Sequence, residues 1–465
     1  MSTRYTPPTI SRNLSGLLNK HGAARGQRPL DRIDGVAVAD LVAEHGSPLF
    51  VFSEETLRRK YRDLYRAFST RYPKVQLAWS YKTNYLGAIC RVFHSEGALA
   101  EVVSDFEYDK ARGLGIPGQQ VVFNGPFKSY EALRRAAAEG ARIQIDNSQE
   151  ITVLERIARE TGRTILVAIR VNMDTGFDHA WKKFGFNYES GEALRAIRRI
   201  ASGGGLKLIG LHAHIGTFVL EPRQYSAAAK VLLKLAAEAR QQCGAGLEYI
   251  NLGGGFASSS TLHCQYFPSG EVNPTFTHYA EAICDVLHQE LPKDRSPPTL
   301  FLETGRALVD DAGYLLTTVL DSRRSGEGKQ SVIVDAGVNL LYTAAWYKFQ
   351  VQPAQEHRDG TMPTRVYGPL CMNIDVVRDD APLPALSPGD RLVVHPVGAY
   401  NITQSMQFIT YRPAVVLIGS GGQVDVIRRR ENLEHVTALE ELPQRLNAEG
   451  ISLNGRKPST NGSGK

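Results

Sequence analysis

Residues 77–86 read LAWSYKTNYL, and this stretch decides the fold. Leu77, Trp79 and Tyr81 alternate with smaller or polar residues, the period-two pattern of a strand. Lys82 ends that run, followed by Thr83 and Asn84. A lysine at the end of an apolar strand either lays its stem over apolar surface with its ammonium in water, or it is used chemically. The next segment, YLGAICRVFHSEG, places Leu86, Ile89, Cys90 and Phe93 on one face at the helical period. A strand followed at once by an amphipathic helix is one βα unit.

The same unit recurs along the chain. Further strands are predicted at LAEVVS, QVVFNG, ARIQID, TILVAIRVN, LKLIGLHAHIG, LEYINLGGG and TLFLETGR. Amphipathic segments such as SYEALRRAAAEG and QYSAAAKVLLKLAAEARQQCG lie between them. Strands alternating with helices predict a parallel sheet covered by helices. With LAWSYK they make eight strands, so the expected architecture is α/β, a closed (β/α)8 TIM barrel, with a doubly wound open sheet as the alternative. The texture changes near residue 312. YLLTTVLD, QSVIVDAG, DRLVVHPVGAY and PAVVLIG are β-like runs with little helical period, which predicts a C-terminal β-sandwich or β-barrel domain. The expected division is an N-terminal extension over 1–45 that lends a strand to the β domain, a barrel over 46–311, a β domain over 312–440 and a disordered polar tail over 441–465.

Composition narrows the function classes. The chain has 465 residues, 42% hydrophobic and 22% charged, with a formal net charge of +6. Basic clusters such as RRRE at 428–431 are short and mixed in sign, so they read as solvated surface and not as a nucleic-acid footprint. No apolar run is long enough to cross a membrane, and the N-terminal stretch lacks an apolar signal region, so a cytoplasmic protein is expected. The five cysteines are scattered without C-x-x-C spacing, which suggests neither a zinc site nor a disulfide framework.

Barrel active sites lie at the C-terminal ends of the strands. Lys82 is at the end of strand one, Glu101 and Ser104 of strand two, Arg170 and Asn172 of strand five, and His212, His214 and Thr217 of strand six. Gly253, Gly254 and Gly255 end strand seven, and Glu303, Gly305 and Arg306 end strand eight. Each has an ordinary reading: a surface lysine, a tight turn, a surface ion pair, a packed histidine. His212 and His214 share a strand face and could pair on a metal, but no third ligand stands at a telling spacing, so no metal is expected. Converging on one mouth, the set reads differently. A lysine can form a Schiff base, bare glycine backbone can cradle a phosphate, and a carboxylate can keep a pyridine nitrogen protonated. Together these requirements specify pyridoxal 5′-phosphate.

At this point the chain resembles the barrel-type, alanine-racemase-like pyridoxal-dependent decarboxylases, the group of the diaminopimelate, ornithine and arginine enzymes. The resemblance covers roughly residues 45–425 and rests on SPLFVFSEETLRRKY, SYKTN, AEVVSDFEYDKARGLGIP, VVFNGPFKS, KFGF, GLHAHIGT, INLGGGF, ETGRALV, VDAGVN, YGPLCMNID and VGAY, in that order. It implies that Lys82 carries the cofactor, that His214 stacks on its ring and that Glu303 pairs with the ring nitrogen. It places Gly253, Gly254, Gly255, Gly305, Arg306, Thr217 and Tyr400 around the phosphate. It implies a homodimer with shared active sites, in which Cys371 enters the neighbouring site and helps return a proton after CO2 leaves. Without the YGPLC motif, Cys371 would read as a small buried hydrophobe.

Two departures bear on the substrate. Diaminopimelate decarboxylases usually place glutamate after the loop cysteine, and ornithine enzymes commonly place aspartate; here Met372 and Asn373 follow. Where the former usually carry an Arg-Pro pair for a distal carboxylate, this chain has Thr343 and Ala344. The substrate-side candidates are Arg170, Met372, Asn373, Asp375 and Thr343. The expected reaction is α-decarboxylation of an L-like amino acid with a distal group unlike that of diaminopimelate, conjugated or carrier-bound. A racemase or epimerase on the same scaffold and a non-catalytic cofactor-binding regulator are the alternatives. The insertion SSSTLHCQYFPSGEVNPTF, 258–276, is expected to shape the substrate entrance.

Overall fold

The structure, a computed structural model, describes residues 28–177, 181–292, 296–324, 328–357 and 360–446. Eight parallel strands form the barrel: Val75–Ser80, Leu99–Val102, Val121–Phe123, Arg142–Ile145, Ile165–Asn172, Leu206–His212, Tyr249–Asn251 and Thr299–Leu302. Each pairs with its predecessor, and Thr299–Leu302 closes the ring on Val75–Ser80. All eight predicted strands are therefore present, in sequence order around the ring. Gly87–Ser95 is the first outer helix, and Ile89, Cys90 and Phe93 are wholly buried on its inner face. Inside the barrel, Ala78, Val122, Ala168, Ile209, Tyr249 and Phe301 pack as one cluster, so the interior is a filled core. Gly210 is required there, because a Cβ would stand 2.5 Å from the Tyr249 ring.

The second domain is all β. Its main sheet runs Val376–Leu383, Met362–Tyr367, Gln330–Val334, Gly313–Arg324, Leu49–Ser53, Ala414–Ile418 and Val424–Arg428. Arg391–His395 pairs with Gly313–Arg324 and carries Gln350–Pro353 at its other edge. This corrects the expected division at residue 46. The stretch Leu49–Ser53 is not part of the barrel but a central β-domain strand, antiparallel to Gly313–Arg324 and parallel to Ala414–Ile418. Its five residues are all buried, which a central strand between two partners requires. Upstream, Arg32–Ile33 and Val36–Ala37 pair only with each other, so the described residues before 46 lend no strand to the main sheet. Ser53 then caps the helix Glu54–Ser69, its hydroxyl accepting from Thr56 N at 3.0 Å, and the chain enters the barrel. The tail expected to be disordered lies outside the described residues from 447 onward.

A β-domain loop clasps the Lys82 turn. Tyr400 N donates to Thr83 O at 2.8 Å, the Thr403 hydroxyl donates to Lys82 O at 2.8 Å, and Asn84 Nδ2 donates to Gly398 O at 3.2 Å. Tyr400 adopts φ +67°, an uncommon conformation for a residue with a side chain, held here by these contacts.

Candidate active site

Strand one stops at Ser80, and Lys82 sits in the single 3-10 turn Tyr81–Thr83. Its Nζ lies 2.7 and 3.0 Å from the two carboxylate oxygens of Glu101, at the end of strand two. The Ser80 hydroxyl donates to the same carboxylate at 2.5 Å. Asn124, ending strand three, donates one amide to Glu101 Oε1 at 2.9 Å and Glu303 Oε1 at 2.8 Å. Asn251, ending strand seven, donates to Glu303 Oε1 at 2.6 Å, and His212 Nε2 stands 3.2 Å from Glu303 Oε2, off line for a hydrogen bond. Strands one, two, three, six, seven and eight thus meet in one polar network.

The electrostatics follow from this crowding. Burial alone would lower the Lys82 pKa, but Glu101, Tyr400 and Glu303 outweigh it and push the ammonium up to about 12. Burial pushes the Glu303 carboxyl up, yet His212, Lys82 and the Asn124 amide outweigh it and hold the group below the ordinary glutamate range. The imidazole of His214 is driven well below its ordinary value, first by burial and then by Arg170 and Lys82, so it is neutral. Its ring stacks on Trp181, with centroids 5.6 Å apart.

The glycine run is close-packed. Gly253 and Gly255 have φ of +64° and +97°. A Cβ at Gly254 would collide with Glu303 O, and one at Gly255 with Gly216 O. Backbone from strands six, seven and eight therefore meets here with no side chain intervening. Gly305 is similarly packed on Thr83. Arg306 lies buried beside it, its guanidinium 4.3 Å from the Tyr347 ring centroid and 5.0 Å from that of Tyr400. Thr217 is exposed on the turn after strand six. Several buried polar atoms around this mouth have no hydrogen-bond partner among the described residues, among them Glu303 Oε2, His214 Nδ1 and Arg306 Nε, together with both His212 nitrogens, Asn124 Oδ1 and Thr304 Oγ1. A carboxylate oxygen, an imidazole and a guanidinium left free around a lysine suit a ligand carrying a basic ring nitrogen, a flat ring and an anionic group. The donor set fits pyridoxal phosphate.

The substrate-side candidates behave differently. Asp375 is buried, accepting Val338 N at 2.7 Å and Leu370 N at 2.8 Å while packing on Gly337 and Gly368. It folds the YGPLCMNID loop and is not free for a ligand. Thr343 is also buried; its hydroxyl donates to Asn401 Oδ1 at 2.9 Å, next to Tyr400. Arg170 is buried against Asp146 at 3.4 Å and lies over the Phe184 ring. Cys371 and Asn373 are exposed and Met372 is half-buried on the β-domain loop, outside the network around Lys82. Removing the Asp375 carboxylate would leave two amides unsatisfied. Asp375→Ala is expected to destabilise the protein by about 1–3 kcal/mol, read as a lower urea midpoint.

Glu101, Asn124, Asn251 and His212 hold the network but were not assigned roles by sequence. The available signal was position: each is a polar residue at the end of an apolar barrel strand.

Residues 55–310, more than half of the chain, match the family model described as pyridoxal-dependent decarboxylase, pyridoxal binding domain. The chain belongs to the pyridoxal-dependent decarboxylases. It is 32% identical to the diaminopimelate decarboxylase of Methanothermobacter thermautotrophicus, over 89% of this chain and 96% of that protein. It is 29% identical to the Bacillus subtilis enzyme of the same name, over 90% and 97% of the two chains. The crystal structure of diaminopimelate decarboxylase from M. jannaschii superposes with a TM-score of 0.81 at 29% identity, covering 89% of this chain and 96% of that one. The protein is thus a pyridoxal phosphate-dependent amino-acid decarboxylase of the alanine-racemase fold, which sets aside the racemase and the non-catalytic readings.

Proposed function

We propose that this decarboxylase removes the α-carboxyl group of an amino acid whose distal end is not a free zwitterion, being conjugated to another group or borne on a carrier. The observation that carries the reading is the YGPLCMNID loop. Met372 follows Cys371, and Asp375, the one charged side chain among residues 370–375, has its oxygens committed to backbone amides. The Thr343 hydroxyl is committed to Asn401. A buried distal charge left unpaired by such a surface costs on the order of 3–5 kcal/mol, enough to exclude it.

When bound, pyridoxal phosphate supplies an electron-poor ring that takes up the electron pair left as CO2 departs. Lys82 would hold its aldehyde, His214 would face its ring, and Glu303 would meet the ring nitrogen. Gly253, Gly254, Gly255, Gly305, Arg306, Thr217 and Tyr400 would surround the phosphate. Glu101, 2.7 Å from Lys82 Nζ, holds and orients the ammonium in the mouth. Cys371 returns a proton to the α-carbon from a second copy of the chain. The exposed position of Cys371 beside Ile374, which is 72% exposed, supports a homodimer with shared sites. Free thiols at all five cysteines fit a reducing cytoplasm, and a biosynthetic role follows from the amine product.

One observation favours a second reading, meso-diaminopimelate as substrate: relatives named for that activity match nearly end to end. The holoenzyme should be given meso-diaminopimelate, ornithine, lysine and amide-conjugated amino acids, with CO2 release and product mass followed. Preferred turnover of a conjugate is expected. Release of lysine from meso-diaminopimelate with the highest kcat/KM would overturn the proposal.

A further inference from the structure

The insertion after the glycine run is fastened to the β domain by backbone hydrogen bonds. Lys348 N donates to Thr261 O at 2.7 Å, and His263 N donates to Trp346 O at 2.9 Å, strapping the insertion to the β-domain segment that carries Tyr347. Its first serines reach inward. Ser258 Oγ donates to Asp310 Oδ2 at 2.6 Å, and Ser260 Oγ donates to the same oxygen at 2.7 Å. Arg306 Nη1 lies 3.1 Å from that oxygen too. Asp310 Oδ1 accepts Ala399 N at 3.2 Å, one residue before Tyr400. Asp310 is 1% exposed and Arg306 7%.

A buried guanidinium needs a counter-charge, and this one has a single carboxylate on one arm. The Asp310 oxygens are shared among two hydroxyls, an amide and Arg306, so the carboxylate is anchored from the insertion and the β domain at once. That leaves Arg306 Nε buried and unpartnered, between the Tyr347 and Tyr400 rings. A group held by one arm and open on another is oriented for an anion.

We infer that Asp310, braced by Ser258 and Ser260, is a positioning residue that sets Arg306 for the phosphate of the cofactor. The inference rests on the pyridoxal phosphate reading of the mouth. Its specific content is that the Asp310 cluster acts on the anionic end of the ligand and not on the ring or the fold.

The test compares cofactor-free wild type and Asp310→Ala, titrated with pyridoxal phosphate and with pyridoxal, which lacks the phosphate, by protein fluorescence, alongside thermal melts. Asp310→Ala is expected to weaken pyridoxal phosphate binding roughly tenfold or more, the loss of one charge-assisted contact, while pyridoxal affinity stays within about twofold. Equal loss for both ligands, or no loss for either, overturns the inference. If wild type does not discriminate between the two ligands, the phosphate assignment of the mouth itself fails, a distinct outcome. Should Asp310→Ala not fold, Ser258→Ala/Ser260→Ala removes the braces and keeps the carboxylate. A weakening confined to pyridoxal phosphate supports the inference, and unchanged affinity refutes it.

Discussion

Lys82→Ala is expected to reduce kcat by about 10³-fold or more while the protein stays folded, because the amine that holds the cofactor and the proton it exchanges disappear together. The turn that carries Lys82 is fastened by backbone, through Thr83 O to Tyr400 N and through Lys82 O to the Thr403 hydroxyl, so the side chain can be removed without releasing the loop. Glu101 would lose its cation but keep donors from Ser80 and Asn124. The visible absorbance of the lysine-linked cofactor should vanish in parallel with turnover. A variant that keeps both would remove Lys82 from the mechanism.

Glu303→Gln should lower kcat by roughly 10²–10³-fold, the scale of losing a preorganised charge at a reacting centre. The substitution is nearly isosteric. Its carbonyl can still accept from Asn124 and Asn251, which in the wild type meet on one oxygen at 2.8 and 2.6 Å, so the fold should survive. What is lost is the negative charge on the second oxygen, which faces His212 Nε2 at 3.2 Å and has no in-line hydrogen bond among the described residues. The same variant carries a pH signature. The Glu303 carboxyl is held below the ordinary glutamate range, so it contributes stability above that range and loses it as pH falls through the depressed value. Urea midpoints of wild type should therefore decline on acidification by more than those of Glu303→Gln. Parallel decline of the two would mean that Glu303 is not held as an anion.

The barrel strands were legible because their evidence is local. Alternation within LAWSYK or TILVAIRVN needs no knowledge of distant chain. Lys82, Glu303 and Arg306 were legible for a related reason: a barrel brings strand ends together, so position along each strand was enough to gather them. The same rule reaches Asn124 and Asn251, each a polar residue at the end of an apolar barrel strand.

Other features could not be reached that way. LFVFS is apolar enough for a barrel strand or a β-domain strand, and only its pairing with Gly313–Arg324 and Ala414–Ile418 decides between them. Asp375 and Thr343 read as polar groups free for substrate, but Asp375 bonds to Val338 and Leu370 amides and Thr343 bonds to Asn401. Asp310 carries no motif in the sequence, yet it collects Ser258, Ser260, Arg306 and Ala399 from three parts of the chain. By itself, the sequence determined the eight barrel strands, the cofactor and the family, because these depend on short-range period and on residues in order. Only the tertiary structure decided which polar groups are spent on one another and which stay free for a ligand. That distinction depends on hydrogen-bond partners as far as 179 and 321 residues apart in sequence, which no local pattern encodes.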